Sequence, residues 1–304
     1  MSDWKEKARA TARGIRRRVL EHTINNDGGY MSQACSSAEI LATMFVKIMP
    51  IDETAEPLAP LSFAGVPSGK NRNAYTGARF NGPRRPDAGR FYLSPAHYAL
   101  AHYAALIETG RMAREGLDHF NRDGSSVEMI GAEHSPGGEV MTGSLGQGIS
   151  QAAGIAWARR RKGERGRTWI FMSDGEFQIG QTWEALQCIA NFKLDTIGIY
   201  IDVNGQQCDG TVPSVMNIEP LDRRLEAFGA RVVVVDGHDV DALAAPAQDP
   251  PDGRPLAVIA KTDPCRGLDL MRKNAPRLHY LRFKSAGEKE AYRAVVDSWT
   301  KEVR

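Results

Sequence analysis

Four short, almost uninterrupted apolar segments in the second half of the sequence constrain the fold most strongly. They are TWIFMS (168–173), TIGIYIDV (196–203), RVVVVDG (231–237) and LAVIAKT (256–262). Apolar residues at successive positions over such lengths are typical of strands that are covered on both faces. Helical patterns lie between these segments, near 181–192 and 218–228. We therefore predict an α/β fold with a doubly wound, mainly parallel sheet flanked by helices.

The first half of the sequence is mainly helical around one long loop. Further helices are predicted at 3–24, at 97–109 and, near the end of the sequence, at EKEAYRAVVDSWTKEV. Another is predicted to begin near Ser36 and Ser37, which can cap it, and to end at Pro50. Residues 51–90 are rich in Pro, Gly, Asn and Arg, and a loop of this length is often functional. We expect a single domain over residues 1–304.

Composition limits the possible partners of the chain. The sequence has 39 basic and 37 acidic residues, a net charge of +2, so it carries no field that favours nucleic acid or an anionic membrane. The four cysteines form no CxxC pair, which favours a reduced, cytoplasmic setting. No apolar run is long enough to span a membrane, and the polar N-terminal segment has no apolar signal core.

A glycine-rich turn is the first candidate for ligand binding. It lies in TGSLGQGISQAAGIAWARR (142–160), where Gly143, Gly146 and Gly148 allow a tight turn and a close approach to a ligand. The amides at the start of the following helix suit a diphosphate. A glycine turn that merely leads into a buried helix would look the same.

Asp174 and Asn204 are the second candidate, because each stands where a predicted parallel strand ends. Open α/β sheets bind ligands at that edge. The two residues lie 30 positions apart, a length that fits a loop, a helix and a strand between adjacent strand ends. A carboxylate, an amide oxygen and a nearby backbone carbonyl form an oxygen-only set that suits Mg²⁺. Taken singly, Asp174 could instead cap a helix, and Asn204 with its following glycine could form an ordinary turn.

Together these segments resemble the transketolase family. The blocks are G-S-L-G-Q-G-I, then S-D-G-E-x-Q-x-G-x-x-W-E-A, then D-x-N-x-x-x-x-D-G. The resemblance implies thiamine diphosphate and Mg²⁺ as cofactors, with Asp174, Asn204 and the carbonyl of Gln206 as metal ligands. It implies cofactor contacts at Gly143, Leu145, Asp174, Gly175, Glu176, Asn204, His97 and His279. It also makes His97, His279 and, with its register left open, His134 candidate catalytic residues.

Two positions depart from the family pattern. Tyr30 stands where the family usually has a histidine in GHxGGxxS, and a phenol with a pKa near ~10 is a poor base at neutral pH. Ile179 stands where the family usually has a glutamate at the subunit interface. These changes leave the implied cofactor contacts intact and bear on the substrate.

The resemblance implies transfer of a two-carbon ketol unit from a ketose, expected to be a sugar phosphate, to an aldehyde. The family's pyrimidine-binding domain is absent from this sequence, so we expect a separately encoded partner, assembled with this chain in a heterotetramer. One alternative is the alpha subunit of a 2-oxo acid dehydrogenase, and another is a catalytically altered subunit that only binds its partner. A nicotinamide dehydrogenase is disfavoured, because its fingerprint orders the glycines G-x-G-x-x-G and this turn orders them G-x-x-G-x-G.

Overall fold

The centre of the protein, in the computed structural model, is a parallel sheet of five strands. The structure describes residues 4–51, 55–66 and 68–302. The strands are β1 (Gly28–Gly29), β2 (Arg90–Leu93), β3 (Thr168–Ser173), β4 (Ile197–Val203), β5 (Gln206–Gln207), β6 (Gly210–Thr211), β7 (Arg231–Asp236), β8 (Leu256–Lys261) and β9 (Leu281–Arg282). The parallel sheet has the order β2-β3-β4-β8-β7. Two short antiparallel pairs, β1 with β9 and β5 with β6, lie outside it.

Helices cover both faces of this sheet. They are α1 (Trp4–Asn25), α2 (Met31–Thr43), α3 (Ala99–Glu108), α4 (Gly148–Arg161), α5 (Gly180–Asn191), α6 (Val212–Val215), α7 (Leu221–Ala227), α8 (Val240–Gln248) and α9 (Ala286–Glu302). A π-helical turn, Met44–Ile48, continues α2. None of the helices described has the length and apolar character needed to cross a membrane.

Side chains along the central strands alternate between two apolar clusters, one on each face. On β3, Trp169 and Phe171 join the cluster that packs against α1, α2, α3, α8 and α9. Ile170 and Met172 join the cluster that packs against α4, α5 and α7. Because both faces are covered, these strands are apolar at nearly every position. The predicted doubly wound α/β fold is confirmed.

The predicted strands are confirmed as β3, β4, β7 and β8, but β2 and α8 were not predicted. β2 has only four residues and pairs only with β3, with Phe91 opposite Trp169. Its assignment therefore depends on a partner far along the chain. In α8, Pro246 lies inside the helix, and this residue normally argues against one.

The predicted cap of the second helix is wrong. The helix begins at Met31, and both Ser36 and Ser37 lie buried inside it. Ser37 Oγ donates to the Gln33 carbonyl at 2.6 Å, and Ser36 Oγ donates to Asp202 Oδ2 at 2.5 Å. A serine hydroxyl that is bonded in this way is tolerated within a helix.

The segment predicted as a long loop is irregular for most of its described length. Leu58 forms a single parallel bridge with Met112. Gly77 begins a short 3-10 helix and packs so closely that a Cβ there would lie 1.6 Å from the Ser135 carbonyl oxygen. The segment is therefore anchored to the rest of the fold by close backbone contact.

Candidate functional site

A cleft of ≈ 420 Å³ lies at the carboxyl ends of β2, β3 and β4. This is the edge at which open parallel sheets bind ligands. The cleft brings together most of the site residues predicted from the sequence, namely His97, Gly143, Leu145, Asp174, Gly175, Asn204, Gln206 and His279. Two other predicted residues, His134 and Glu176, do not line it.

Asp174 follows the last residue of β3 and is 1% exposed. Its Oδ1 accepts a hydrogen bond from Gly175 N, and its Oδ2 accepts one from Gly205 N, both at 2.8 Å. Burial, and then the nearby charge of Asp202, raise the pKa of Asp174 to about 7. A carboxylate placed in this way is stabilised in its charged form by a neighbouring cation.

Asn204 follows the end of β4, and its amide is held on both sides. Oδ1 accepts from Gln206 N at 2.9 Å. Nδ2 donates to Tyr98 Oη at 3.0 Å, to Asp202 Oδ2 at 3.2 Å and to Ser36 Oγ at 3.3 Å. The amide orientation is therefore set by a buried polar cluster behind the cleft.

The oxygen atoms of Asp174, Asn204 and Gln206 fit a hard divalent cation. They comprise a carboxylate and amide oxygens, which are the ligands preferred by Mg²⁺. Gln206 Oε1 is buried and has no hydrogen-bond partner among the described residues, so this side chain offers a further oxygen beside the predicted backbone carbonyl. The metal assignment remains a prediction that this donor set supports.

The glycine turn before α4 is held in place by Glu176. Gly146 has φ +76° and donates from its amide to Glu176 Oε1 at 3.0 Å. Glu176 Oε2 accepts from Ser173 N at 3.0 Å, and its Oε1 also accepts from the Ser94 hydroxyl. Glu176 is fully buried, so the structure places it behind the turn rather than in the cleft.

Two partly buried histidines lie next to each other in the lining of the cleft. The rings of His97 and His279 are 5.0 Å apart. Burial, and then His279, lower the pKa of His97 to about 3, and burial lowers the pKa of His279. Gln33 Nε2 donates to His279 Nδ1 at 3.2 Å, which leaves the proton of a neutral ring on Nε2. Both rings are therefore neutral hydrogen-bonding groups at neutral pH.

Tyr30 stands between these histidines and Tyr280. The pairing of β1 with β9 brings the Tyr30 ring to 5.5 Å from His279 and to 4.9 Å from Tyr280. Burial, and then Tyr280, raise the pKa of the Tyr30 phenol. Tyr30 is consequently a neutral donor at neutral pH and not a base.

His134 lies apart from the cleft. Its Nε2 is 3.1 Å from Glu128 Oε2, and its ring is 4.5 Å from that of Phe63. The residue is 7% exposed. The structure therefore shows a packed, paired histidine at this position, and its predicted catalytic role stays a prediction.

The buried polar cluster behind Asn204 was not predicted from the sequence. Asp202 is 0% exposed and accepts from Ser36, Tyr98 and Asn204. Its Oδ1 also accepts from the Thr262 hydroxyl. A signal was present, because an aspartate inside the otherwise apolar run IYIDV must find partners when it is buried.

Comparison with known proteins identifies the family. The model of the transketolase thiamine diphosphate binding domain matches residues 42–262. The transketolase family protein y4mO of Sinorhizobium fredii is 34% identical over 288 residues, which are 93% of each chain. A protein of Actinobacillus succinogenes that is named as one of the subunits of apulose-4-phosphate transketolase is 27% identical over 272 residues, which are 88% of each chain.

A solved structure shows the same fold. Transketolase from Campylobacter jejuni superimposes with a TM-score of 0.70 at 19% sequence identity. The match covers 99% of this chain and 47% of that one. The chain thus spans about half the length of this solved relative.

Proposed function

This chain belongs to the transketolase family, and we propose that it is the diphosphate-binding subunit of an enzyme that transfers a two-carbon ketol unit from a ketose to an aldehyde. The observation that carries the proposal is the position of Asp174 and Asn204 at the ends of adjacent strands, in one cleft with Gly143 of the glycine turn. In such a combination the carboxylate and the amide oxygen suit a metal ion, and the exposed backbone suits a diphosphate.

In this proposal Asp174, Asn204 and Gln206 hold Mg²⁺, and the turn that contains Gly143 and Gly146 binds the diphosphate. Bound thiamine diphosphate supplies the carbanion stabilisation that carbon–carbon cleavage requires. The chain itself supplies binding and orientation. The cation would stabilise the charged form of the buried Asp174 carboxylate, because burial and the charge of Asp202 otherwise disfavour that form.

The residues around the reacting end of the cleft act as neutral hydrogen-bonding groups. His97 and His279 are uncharged near neutral pH. His97 can accept a hydrogen bond from a hydroxyl or donate its ring N–H, whereas His279, whose Nδ1 already accepts from Gln33, donates from Nε2. Tyr30 donates from its phenol. These three side chains orient the sugar hydroxyls without introducing a charge.

We also propose a separately encoded partner that carries the pyrimidine-binding domain, in a heterotetramer of two chains of each kind. The Actinobacillus succinogenes relative, which this chain matches over 88% of both lengths, is itself named as one subunit of an enzyme. Ile130 and Leu145 line the cleft and are 57% and 37% exposed, which leaves apolar surface at its mouth for a partner to cover. The name of that relative also supports a phosphorylated ketose as substrate.

The proposed setting is the cytoplasm. All four cysteines, Cys35, Cys188, Cys208 and Cys265, are free. Unpaired cysteines suit a reducing compartment.

Calorimetric titration of thiamine diphosphate, with and without Mg²⁺, tests the cofactor site. The tagged chain is purified with its partner from the native host, and Asp174→Asn is compared with Asp236→Asn, which alters an exposed aspartate at the end of β7. We expect Asp174→Asn to weaken Mg²⁺-dependent binding at least about 100-fold and Asp236→Asn to leave it unchanged. Equal affinity in both variants would refute the ligand assignment.

A turnover assay then separates the three candidate functions. Ketose cleavage that requires an aldehyde acceptor supports the ketol transferase. Pyruvate decarboxylation without an aldehyde indicates a 2-oxo acid dehydrogenase subunit. Tight binding of partner and cofactor without turnover of either donor indicates a catalytically altered subunit.

A further inference from the structure

A second space of ≈ 360 Å³, which we call the side chamber, adjoins the cleft behind Tyr30. The side chamber is defined by His22, Asn26, Tyr30, His97, Asn121 and Arg122. Tyr30, His97 and Met129 line both the side chamber and the cleft. The cleft and the side chamber therefore adjoin each other at these three side chains.

The lining of the side chamber offers hydrogen-bonding groups and positive charge. The Tyr30 hydroxyl, Asn26 Oδ1 and the ring nitrogens of His97 have no hydrogen-bond partner among the described residues. No aspartate or glutamate belongs to the described lining. Such a lining suits a hydroxylated chain, and the charge of Asp118, which lies outside the lining, acts on His22.

Arg122 carries the charge of this lining. Its guanidinium is exposed and forms no ion pair with the described residues. His22, by contrast, has a pKa lowered by burial, so its ring adds no positive charge at neutral pH. A planar guanidinium without a carboxylate partner suits bidentate binding of a phosphate.

The turn that carries Arg122 is held by several hydrogen bonds. Asn121 has φ +54°, and its Oδ1 accepts from Met129 N at 2.8 Å. Asn121 N donates to the Val127 carbonyl at 2.9 Å, and Arg122 N donates to the His119 carbonyl at 3.2 Å. These bonds fix the backbone of Arg122 at the rim of the side chamber, so a ligand does not have to order this loop.

We propose that the side chamber binds the far end of the sugar substrate, with Arg122 holding a terminal anionic group such as a phosphate and Asn26 and Tyr30 holding hydroxyls. The inference rests on the proposed function, because it assigns the reacting end of the sugar to the neighbouring cleft. The volume of the side chamber falls within the range of small-molecule sites.

Equilibrium binding to the full chain tests the inference without turnover. D-ribose 5-phosphate, D-ribose and inorganic phosphate are titrated into the wild type, Arg122→Gln and Arg79→Gln. Arg79 is the matched control, since it is an exposed arginine in another cavity without a carboxylate partner among the described residues. We expect D-ribose 5-phosphate to bind at least about tenfold more tightly than the other two probes, and only Arg122→Gln to remove that difference.

Three results would overturn the inference. They are an undiminished preference in Arg122→Gln, no preference for the phosphorylated sugar in the wild type, and inorganic phosphate binding as tightly as D-ribose 5-phosphate. The last result would show a simple anion site.

In the assembled enzyme, Arg122→Gln should raise KM for a phosphorylated aldose acceptor about tenfold and raise it far less for the unphosphorylated aldose. Arg79→Gln should match the wild type for both acceptors. An equal rise for both acceptors would contradict a phosphate contact. Absence of transfer by the wild-type complex would count against the proposed function, while the binding experiment would still decide the role of the side chamber.

Discussion

Asp202 Oδ2 accepts a hydrogen bond from Asn204 Nδ2 at 3.2 Å, and this contact determines which way the Asn204 amide faces. The same carboxylate oxygen accepts from Tyr98 Oη at 2.7 Å. Asp202 Oδ2 is therefore a strong acceptor beside Asn204 Nδ2. The amide oxygen is thereby left on the side of Gln206. Asp202 thus positions a predicted metal ligand from behind the cleft.

Replacing Asp202 by asparagine should weaken Mg²⁺-dependent binding of thiamine diphosphate by about 10- to 100-fold, as is typical for residues that orient a metal ligand. The new amide can present a donor where Asn204 Nδ2 already donates, so the Asn204 amide loses its preferred orientation. Calorimetry measures the affinity. The control is Thr262→Val. This change removes the hydrogen bond to the other oxygen of Asp202 and leaves the oxygen that accepts from Asn204 in place. An affinity equal to that of the wild type in Asp202→Asn would contradict the positioning role.

Glu176→Gln should loosen the glycine turn from behind. Glu176 accepts from Gly146 N and Ser173 N, and a glutamine amide nitrogen cannot accept from either. We expect the free energy of unfolding to fall by about 2 kcal/mol and cofactor affinity to fall with it. Urea unfolding and calorimetry measure the two effects, with Glu226→Gln on the exposed face of α7 as control. Lost stability with unchanged affinity would show that Glu176 does not position the turn.

Two glycines of α4 should respond to alanine in opposite directions. A Cβ at Gly148 would lie 2.9 Å from Ser94 Cα, whereas a Cβ at Gly154 meets nothing within 4 Å. We expect Gly148→Ala to lower the free energy of unfolding by roughly 1–3 kcal/mol and Gly154→Ala to raise it by up to about 1 kcal/mol. Urea unfolding of both variants measures these changes. A stabilised Gly148→Ala protein would contradict the close approach of α4 to the loop after β2.

Acid stability should depend on the buried cluster of Arg16, Glu39 and His238. Arg16 Nη1 donates to Glu39 Oε1 at 2.7 Å, and His238 Nδ1 lies 2.9 Å from Glu39 Oε2. Burial alone would raise the pKa of Glu39, but the His238 hydrogen bond and the Arg16 charge outweigh it and lower the pKa from 4.5 to about 2. Because the folded-state pKa is depressed, the carboxylate stabilises the fold above pH 4.5, and this stabilisation is lost as the pH falls toward 2.

Glu39→Gln should therefore lower the free energy of unfolding by up to about 3 kcal/mol at pH 7, and the difference from the wild type should shrink between pH 4.5 and 2. Urea unfolding at pH 7, 4 and 3 measures this difference. Glu6→Gln, which removes an exposed pair with Arg9, should change stability by less than about 0.5 kcal/mol at each pH. A difference that stays constant down to pH 3 would exclude Glu39 as its source.

The central strands could be predicted because their signal is local. A run such as TIGIYIDV is apolar at successive positions whatever its neighbours, and it became β4. β2 had no such signal, since four residues at a sheet edge take their assignment from pairing with β3. Ser36 resembled a helix cap for a similar reason, because its true partner, Asp202, lies 166 residues away.

The site residues also differ in whether a local sequence signal could predict their positions. Asp174 and Asn204 stand directly after strands that the sequence reveals, so their meeting at one edge of the sheet could be predicted. His134 had a local motif but no strand end to place it, and it lies against Glu128 outside the cleft. Glu176 lies two residues beyond Asp174 in a 3-10 helix, so its side chain points in another direction, behind the cleft and toward Gly146.

The sequence by itself determined the parallel sheet, the edge at which the cleft lies and the oxygen and glycine groups that reach it. Hydrophobic periodicity and strand-end position are properties of short stretches of chain. Only the tertiary structure decided that Asp202 orients Asn204, that Glu176 holds the glycine turn and that Arg122 and Tyr30 line the same chamber. Those relationships join residues on different elements, and their geometry arises when the helices pack on the sheet and buried polar groups find their partners.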